Sequence, residues 1–272
     1  MLEKFFSILV VCLNPGDKLE KTIQSILQQS YTDYEIIIKD GGSTDGSIED
    51  LQSKKYMEEY PQIRLVREKD SSIYDAMNQA VKEACGSYLL FLNCGDYLYD
   101  STVLGKVAAS IVPKSSLQIY YGDQYNQLQR AVVSSAPGID DFTCFRNVPC
   151  HQVCFYEHRL FENRGYDTKY VVRADYEHFL YCVYEEKAEC THLPIIISSY
   201  EGGGFSETKE NRIQSALEHR EITDRYLGEK AKKYRLIMAV TLAPLRTFLA
   251  EDPRFSKWYN GIKSFVYKRE EQ

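Results

Sequence analysis

Polar side chains follow two apolar, strand-like runs of this 272-residue chain, at the point where each run ends. The run Ile36–Ile38 leads into the turn Asp40–Ser43, and the run Tyr88–Leu92 leads into the turn Asn93–Asp96. Because an open α/β sheet binds ligands outside the carboxyl ends of its strands, carboxylates in two such turns can face the same ligand. They can bind the base and ribose of a nucleotide and a phosphate-bound metal ion. The pair of turns therefore predicts a nucleotide-sugar site.

Length and charge narrow the class of protein. A chain of this length can bury a large core as one or two domains, and a net charge of −6 argues against a general affinity for nucleic-acid phosphates. The first apolar run carries Glu3 and continues directly into fold-like sequence, which indicates a first strand rather than a signal peptide. The apolar stretch 236–250 is too short for a bilayer span and contains Arg246. We therefore expect a cytoplasmic protein.

The eight cysteines are typical of reduced thiols in a chain without a secretory signal. A zinc site is the alternative, because Cys150 and Cys154 flank His151, with Cys144 and His158 nearby. Structural zinc sites usually use closely spaced pairs of ligands, and this segment does not have that spacing. Ordinary packing of the thiols is therefore the favoured interpretation.

Strand and helix patterns alternate through the first 122 residues. Apolar runs predict strands over 6–13, 35–39, 63–66 and 88–92, with helices between them. Such alternation predicts an α/β fold, a doubly wound, mostly parallel sheet with helices on both faces. The helix signals are Asp17 with Glu20 as a capping box, Ser47 for a helix to Tyr60, and Ser71 or Ser72 for a helix that Gly86 ends.

The pattern becomes less regular after Asp123. We predict a catalytic domain over 1–206, with a nucleotide-sugar-binding half (1–123) and an acceptor half (124–206). In the acceptor half, 152–156 is a strand candidate and 174–184 a helix candidate. Residues 207–272 are expected to form a helical C-terminal extension, with one helix to Gly228 and a second from Glu229 to about 250. The glycines of 202–206 fit either a loop that closes over the donor or a linker to these helices.

Other interpretations of the first turn fit less well. Gly41 and Gly46 are spaced like the ends of a phosphate loop, but Ser47 stands where that motif requires Lys. No G-x-G-x-x-G follows the first strand, which weakens a dinucleotide-binding oxidoreductase. A plain turn also uses Asp-Gly-Gly-Ser, because glycine accepts positive φ and Asp and Ser bond their own backbone. The second turn, Asn93–Asp96, is what favours a binding site.

Three segments occur in a fixed order along the chain. They are Asp40–Ser47, the helix start Ile73–Asn78 (Ile-Tyr-Asp-Ala-Met-Asn), and Phe91–Asp96 (Phe-Leu-Asn-Cys-Gly-Asp). Together they resemble the family 2 glycosyltransferases of the GT-A fold, especially bacterial members that build surface polysaccharides. The resemblance covers roughly residues 5 to 180 and is strongest in the first hundred.

The resemblance implies a role for each turn. Asp40 is expected to accept a hydrogen bond from the donor's base, and Asp96 to bind Mg²⁺ or Mn²⁺ on the diphosphate. Asn93 and Gly95 stand where the commoner pattern has Asp. Asn93 can still bond a ribose hydroxyl, and Gly95 lets the backbone approach the ligand. The expected donor-binding residues are Leu13, Asn14, Asp40, Gly42, Ser43, Asp75, Asn78, Asn93, Cys94 and Gly95.

Asp75 and Asn78 lie about one helical turn apart in the second segment. They lie off the apolar face of Ile73, Met77 and Ala80, so we expect both to point outward near the positive end of the helix. Direct contact with the donor and simple helix-start polarity are both consistent with this placement.

The segment Arg173–Leu180 occupies the place of the family's Glu-Asp motif, whose Asp takes the proton from the acceptor hydroxyl. Asp175 matches that Asp, whereas Ala174 replaces the Glu before it. A hydroxyl is a poor nucleophile until a positioned carboxylate takes its proton, which is what single-displacement transfer with inversion requires. A helix N-cap is the alternative role of Asp175. His151 and Gln152 are expected to bind the acceptor, although a lone His in a strand is often structural.

Basic residues lie beside apolar and aromatic ones in the terminal segment. Lys232–Leu249 begins with basic residues, and the aromatic residues between Phe255 and Tyr267 are interleaved with Lys. This pattern is typical of an interfacial helix, which a lipid-linked acceptor at the inner face of a membrane would explain. Packing against the catalytic domain, or against another subunit of a homo-oligomer, is the alternative.

The combined expectation is an inverting glycosyltransferase that depends on Mn²⁺ or Mg²⁺. It moves a sugar from a nucleotide-diphosphate sugar, with UDP favoured, to a saccharide or lipid-linked saccharide in cell-surface polysaccharide or glycolipid biosynthesis. One rival is a catalytically inactive sugar-nucleotide-binding or scaffold protein, because Asn93, Gly95 and Ala174 reduce the acidic content. A sugar nucleotidyltransferase is disfavoured, because no Gly-rich loop with Arg and Lys follows the first strand.

Overall fold

Strands and helices alternate through the first half of the chain and become irregular in the second. The computed structural model describes residues 4–202 and 208–240. The strands are β1 (Lys4–Cys12), β2 (Tyr34–Asp40), β3 (Ile63–Arg67), β4 (Gly86–Phe91), β5 (Tyr97–Leu98), β6 (Gln118–Asn126), β7 (Ala131–Val133), β8 (Cys154–Glu157) and β9 (Glu189–Tyr200). The helices are α1 (Lys18–Leu27), α2 (Ser47–Ser53), α3 (Tyr56–Glu59), α4 (Ile73–Glu83), α5 (Val103–Ser110), α6 (Asp141–Arg146), α7 (Ala174–Tyr184), α8 (Lys209–Leu227) and α9 (Glu229–Val240).

The described strands form one sheet in the order β3-β2-β1-β4-β8-β6-β9-β5, with β7 paired to β6. The four strands β3, β2, β1 and β4 pair in parallel, and β6 pairs in parallel with β9. β8 is antiparallel to both of its neighbours. Every residue of β2 is buried, as expected of a parallel strand covered on both faces. The predicted α/β architecture is confirmed.

Strand register brings three turns to one edge of the sheet. Cys12 of β1 pairs with Asp40 of β2, and Leu9 of β1 pairs with Phe91 of β4. Because these strands are parallel, the residues that follow them all lie at the carboxyl edge, where open α/β sheets bind ligands.

The antiparallel strand β8 adds a fourth segment to this edge. Leu89 of β4 lies opposite Tyr156 of β8, so residues that precede β8 meet residues that follow β4. A short 3₁₀ turn, His151–Val153, occupies this place. The sheet therefore carries this turn towards the turn Asn93–Asp96.

One cap prediction and one helix prediction near the amino terminus were wrong. Asp17 is the N-cap residue of α1, but its backbone is helical and its side chain makes no cap, so it forms no capping box with Glu20. The predicted helix from Ser47 to Tyr60 is interrupted between α2 and α3. Lys55 adopts a left-handed φ of 57° at the break, which ends one helical segment and starts the next.

Two further predictions differ at the ends of strands. Gly86 does not end α4 but opens β4, where a Cβ atom would lie 2.5 Å from the backbone nitrogen of Ser7. Glycine is needed there because β1 and β4 approach closely. The predicted strand 152–156 starts two residues later, after the 3₁₀ turn. Ser72 caps α4 as predicted, since its hydroxyl accepts a hydrogen bond from the backbone N–H of Asp75.

The chain divides into two compact units after Ile222, within α8. The described part of the second unit contains the end of α8 and α9, which begins at Glu229 after Gly228, as predicted. In residues 4–202 and 208–240, no helix is long and apolar enough to cross a membrane. The predicted domain boundary at 206/207, most of the glycine-rich segment 202–206 and the aromatic and basic residues beyond 240 lie outside the described residues.

Candidate active site

The turns that follow β1 and β2 are joined by hydrogen bonds, and we call residues 13–16 and 40–45 the donor turns. The backbone N–H of Asn14 donates to Ser43 Oγ (2.8 Å), and the N–H of Thr44 donates to Asn14 Oδ1 (2.8 Å). The N–H of Gly16 donates to Asp45 Oδ2 (2.8 Å). Asn14 adopts a left-handed φ of 49°, which Asn tolerates better than most residues. The donor turns therefore support each other without a ligand.

Asp40 lies at the centre of the donor turns and is fully buried. Its carboxylate accepts hydrogen bonds from Ser43, from the backbone N–H (2.9 Å) and the hydroxyl (2.5 Å). Arg67 at the end of β3 adds an ion pair, with Nε 3.1 Å from Asp40 Oδ2. Sequence reasoning missed Arg67, although its place at the end of the third parallel strand was a usable signal. The described contacts of Asp40 all shape the turn itself.

The remaining residues of the donor turns present backbone and apolar surface. Gly42 has a φ of +100°, a conformation that favours glycine. Leu13 follows β1 directly and is 61% exposed, so its side chain offers apolar surface beside Asn14. Such a surface suits the flat face of a nucleotide base.

The turn Asn93–Asp96 is tight because one position in it excludes a side chain. The N–H of Asp96 donates to the carbonyl of Asn93 (3.0 Å), and Gly95 between them has a φ of +100°. A Cβ atom on Gly95 would lie 2.5 Å from Glu201 Oε2. Glycine is required by this φ, and the carboxylate of Glu201, paired with Lys18 at 2.6 Å, lies against the same position.

Asp96 is a buried carboxylate whose partners are neutral. Its side chain accepts hydrogen bonds from Gln152 Nε2 (3.1 Å) and from the backbone N–H of Glu201 (3.2 Å). Burial raises the pKa of Asp96 to about 6, although these two hydrogen bonds oppose the shift. The charged form of Asp96 is thus poorly compensated, which is the condition that a bound cation relieves.

Two amide oxygens near Asp96 are also uncompensated. Asn93 Oδ1 and Gln152 Oε1 are buried and have no hydrogen-bond partner among the described residues. Carboxylate and amide oxygens are the donors that Mg²⁺ and Mn²⁺ prefer. In residues 4–202 and 208–240, no group of three or more His, Cys, Asp or Glu could hold a metal ion without further ligands. These residues therefore fit a cation that brings phosphate oxygens with it.

His151 connects Asn93 to Asp175. His151 Nδ1 lies 2.9 Å from Asp175 Oδ2, and His151 Nε2 lies 3.0 Å from Asn93 Nδ2. Because an amide nitrogen can only donate, Nε2 accepts and the Nδ1–H donates to the carboxylate. We call the five connected residues Asn93, Asp96, His151, Gln152 and Asp175 the base network. Both ring nitrogens of His151 are engaged within it.

The environment of Asp175 favours its ionised form. Burial alone would raise the pKa of this carboxyl, but hydrogen bonds from His151, the backbone N–H of Tyr176 (2.8 Å) and Tyr74 together lower it below its ordinary value. Tyr74 Oη lies 3.0 Å from Asp175 Oδ1. Tyr74 belongs to the motif Ile73–Asn78, but sequence reasoning assigned it no role. The side chain of Asp175 is 23% exposed and can still meet a hydroxyl group.

Asp75 and Asn78 make contacts within the protein. The carboxylate of Asp75 accepts hydrogen bonds from the N–H (2.8 Å) and hydroxyl (2.9 Å) of Ser71, so it stabilises the start of α4. Asn78 does not point outward as predicted. Its amide donates to the carbonyl of Tyr166 (2.9 Å) and accepts from the N–H of Tyr166 (2.8 Å). Asn78 therefore joins α4 to the segment that follows β8.

The cysteines near the site are packed thiols. All eight cysteines lie in the described residues, and none of them forms a disulfide. Cys94 in the second turn contacts Cys12 at the end of β1, and this contact together with burial raises the pKa of the Cys94 thiol. Burial raises the pKa of Cys150 to about 12. His158 Nδ1 lies 2.9 Å from the carbonyl oxygen of Gly86.

Comparison with known proteins identifies related sequences. The family model described as Glycosyl transferase family 2 matches residues 7–130. A Mycobacterium tuberculosis protein named PGL/p-HBAD biosynthesis glycosyltransferase is 33% identical over 210 residues, which cover 76% of this chain and 81% of the relative.

Solved structures share the fold at low sequence identity. S. aureus TarS 1–349 in complex with UDP aligns with a TM-score of 0.66 and 14% identity, over 91% of this chain and 75% of TarS. In a longer TarS structure, the chain covers 43% of TarS. The mannosyltransferase PcManGT from Pyrobaculum calidifontis, in complex with GDP-Man and Mn²⁺, aligns with a TM-score of 0.65 and 15% identity, over 96% of this chain and 84% of that chain. The predicted GT-A fold is confirmed.

Proposed function

The chain belongs to glycosyltransferase family 2, and we propose that it transfers a sugar from a nucleotide-diphosphate sugar to an acceptor hydroxyl with inversion at the anomeric carbon. In this proposal the donor turns and the turn Asn93–Asp96 bind the donor. Asp96 holds a divalent cation, and Asp175 takes the proton of the acceptor hydroxyl.

One juxtaposition supports this assignment most strongly. The consecutive residues His151 and Gln152 bond Asp175 and Asp96, at 2.9 Å and 3.1 Å. These bonds hold two carboxyl groups that are far apart in sequence at one edge of the sheet. Their pKa values are shifted in opposite directions. Burial raises the pKa of Asp96 to about 6, whereas the hydrogen bonds of Asp175 lower its pKa. Pairs of carboxyl groups separated in this way are typical of sites that divide electrostatic and proton-transfer roles.

The donor side of the site fits a nucleotide diphosphate with its cation. Leu13 offers apolar surface for the base, and the backbone of Gly42 and Gly95 permits close approach. Asp96, with the unpartnered oxygens of Asn93 and Gln152, fits Mn²⁺ or Mg²⁺. When bound, the cation would neutralise charge on the leaving diphosphate.

Asp175 has the protonation state that a general base needs. Its carboxylate is ionised at neutral pH, and His151, as the Nδ1–H tautomer, keeps one oxygen oriented. A hydroxyl that loses its proton to Asp175 can attack the anomeric carbon from the face opposite the leaving diphosphate. That geometry inverts the anomeric configuration. His151 orients the base, and its contact with the acceptor would require one of its two internal bonds to open.

The proposed classes of donor and acceptor are based on the related sequences and on the similar solved structures. TarS 1–349 has been solved with UDP and with UDP-GlcNAc, and PcManGT with GDP-Man and Mn²⁺. The mycobacterial relatives are named for PGL/p-HBAD biosynthesis. We therefore favour a UDP-sugar donor and a saccharide or lipid-linked saccharide acceptor, in glycoconjugate biosynthesis at the inner face of a membrane.

A donor screen followed by one matched pair of variants tests the proposal. Thermal shift with a panel of nucleotide sugars, with and without Mn²⁺, should identify a donor that stabilises the protein only with the cation. Asp175→Asn should then lower kcat by about 10³-fold with the donor Kd unchanged, because only proton transfer is lost. Asp167→Asn is the control, since its carboxylate bonds the backbone N–H of Lys169 (3.2 Å) away from the base network.

Two outcomes would contradict the proposal. Turnover that persists in Asp175→Asn would remove Asp175 as the base. Donor binding without turnover across the panel of donors and acceptors would favour a sugar-nucleotide-binding protein without catalytic activity. The product's anomeric configuration, read by NMR coupling constants, checks inversion separately.

A further inference from the structure

Glu218 of α8 is a buried acid outside the base network, with 3% of its surface exposed. Its carboxylate accepts hydrogen bonds from three consecutive backbone N–H groups. Oε1 accepts from Val171 (2.7 Å), and Oε2 accepts from Val172 (3.0 Å) and Arg173 (2.8 Å). Burying a carboxylate costs free energy unless it is hydrogen-bonded, so these contacts hold both α8 and the backbone segment 171–173.

The three N–H groups belong to the residues that lead directly into Asp175. Arg173 is the N-cap position of α7, and its own side chain makes no capping bond. Asp175 is the second residue of that helix. Glu218 therefore binds the N–H of the N-cap residue Arg173 and the two N–H groups before it, which places its negative charge near the positive end of α7. These three hydrogen bonds fix the position of the segment 171–173 relative to α8.

Further hydrogen bonds connect the segment 171–173 to Asp175. The hydroxyl of Tyr74 lies 2.7 Å from the carbonyl oxygen of Val172 and 3.0 Å from Asp175 Oδ1. Arg173 Nε donates to Ser215 Oγ (2.7 Å), one turn before Glu218 on α8. A shift of the segment 171–173 would therefore move Asp175 relative to both Tyr74 and His151.

We propose that Glu218 is a positioning residue for the catalytic base. By binding the segment 171–173, it sets the distance between Asp175 and His151. This role rests on the proposed function, because Asp175 must be the base. Sequence reasoning assigned residues 207–272 to a helical extension outside the catalytic domain, whereas Glu218 makes α8 a contributor to the site.

Glu218→Gln tests the proposal with little change in size. It replaces one acceptor oxygen with an NH₂ group that faces N–H donors. The matched control is Glu221→Gln, about one turn further along α8, whose carboxylate bonds the Tyr170 hydroxyl (3.0 Å) and Lys169 instead of the backbone. We expect kcat to fall about 10- to 100-fold in Glu218→Gln, with the donor Kd unchanged. The control should keep the wild-type kcat.

The pH profile separates positioning from general stability. When Asp175 moves away from His151, it loses the hydrogen bond that lowers its pKa, so the acid limb of the kcat profile should move to higher pH in Glu218→Gln. Amide hydrogen exchange at 171–173 should also become faster than in the wild type. If Glu218→Gln does not fold, Glu218→Asp keeps the charge with a shorter reach and should show a smaller shift of the same limb.

Failure of this proposal can be told from failure of the proposed function. A folded Glu218→Gln variant with wild-type kcat and an unmoved acid limb would overturn the positioning role, even if Asp175→Asn is inactive. If Asp175→Asn keeps turnover, the proposed function fails whatever Glu218→Gln does.

Discussion

The donor turns and the base network lie at the same sheet edge but are held in different ways. The donor turns depend on a local bond between Asp40 and Ser43, on bonds between residues at most 30 positions apart, such as Thr44 with Asn14, and on the pairing of the adjacent parallel strands β1 and β2. The base network depends on bonds between residues far apart in sequence. Gln152 and Asp96 are separated by 56 residues, and Asn93 and His151 by 58.

This difference predicts separable effects of substitution. The donor turns are stabilised by their own hydrogen bonds, so changes there should affect donor binding and local stability. The base network is assembled from the turn after β4, the 3₁₀ turn and α7. Within it, changes at His151 and Asp175 should lower kcat while donor binding persists, whereas Asp96 acts on the donor through the cation.

His151→Ala should have the largest effect of these, a loss of about 100-fold in kcat with the donor Kd unchanged. The substitution removes the hydrogen bond from Nδ1 to Asp175 and the acceptor of the Asn93 amide. Steady-state kinetics and calorimetric titration of the donor measure the two quantities. His192→Ala, which removes a contact with Asp123 at 3.1 Å, is the control and should keep kcat. A weaker donor affinity with normal kcat would place His151 on the donor side.

Asp96→Asn should stabilise the protein in the absence of donor and metal, by about 2 kcal/mol at pH 7.5. The folded-state pKa of Asp96, about 6, lies above the ordinary value of 3.8, so the ionised carboxylate is disfavoured in the folded protein at neutral pH. As pH falls from 6 to 4, Asp96 of the wild type becomes protonated, and the free-energy cost of its buried charge disappears. Urea denaturation at pH 7.5 and pH 4.5 measures the gain. An equal gain at both pH values would show that charge is not its cause.

The affinity for the Mn²⁺–donor complex should weaken as pH falls below about 6, by about tenfold per pH unit. The reason is that a proton and the cation compete for the Asp96 carboxylate. Calorimetric titration between pH 5 and pH 8 measures this slope. Asp96→Asn should bind weakly at every pH and show no such slope, whereas a flat profile in the wild type would exclude Asp96 as the cation's ligand.

Ser43→Ala should have the smallest effect, a loss of about 1 kcal/mol in the free energy of unfolding. It removes the hydroxyl that donates to Asp40 and accepts from the N–H of Asn14. Ser47→Ala is the control, because its hydroxyl bonds only the exposed Asp45 and should change stability by less than about 0.5 kcal/mol. Equal losses would mean that the donor turns are not held through Ser43.

The parts of the site that were predictable depend on near neighbours in the sequence. Apolar runs identified β1, β2 and β4, because a strand buried on both faces is apolar along its length, and the shorter run Ile63–Val66 identified the edge strand β3. The carboxyl ends of those strands then located Asp40 and Asp96. The glycines of both turns were found for the same reason, since local backbone geometry requires them. Asp175 was found only through the resemblance to a known family.

Contacts between distant segments were not predictable from these patterns. Asn78 faces Tyr166 rather than solvent, and Tyr74 reaches Asp175 across 101 positions. The backbone N–H of Glu201 donates to Asp96 across 105 positions.

Periodicity and turn chemistry in this chain dictate which segments become strands and helices and which polar residues stand at their ends, because those outcomes depend on interactions within a few residues. The antiparallel pairing of β8 with β4 depends on how the whole core packs. The contact between Glu218 and the segment 171–173 depends on it too. The distance between Asp96 and Asp175 is a result of that packing, which no short window of residues contains.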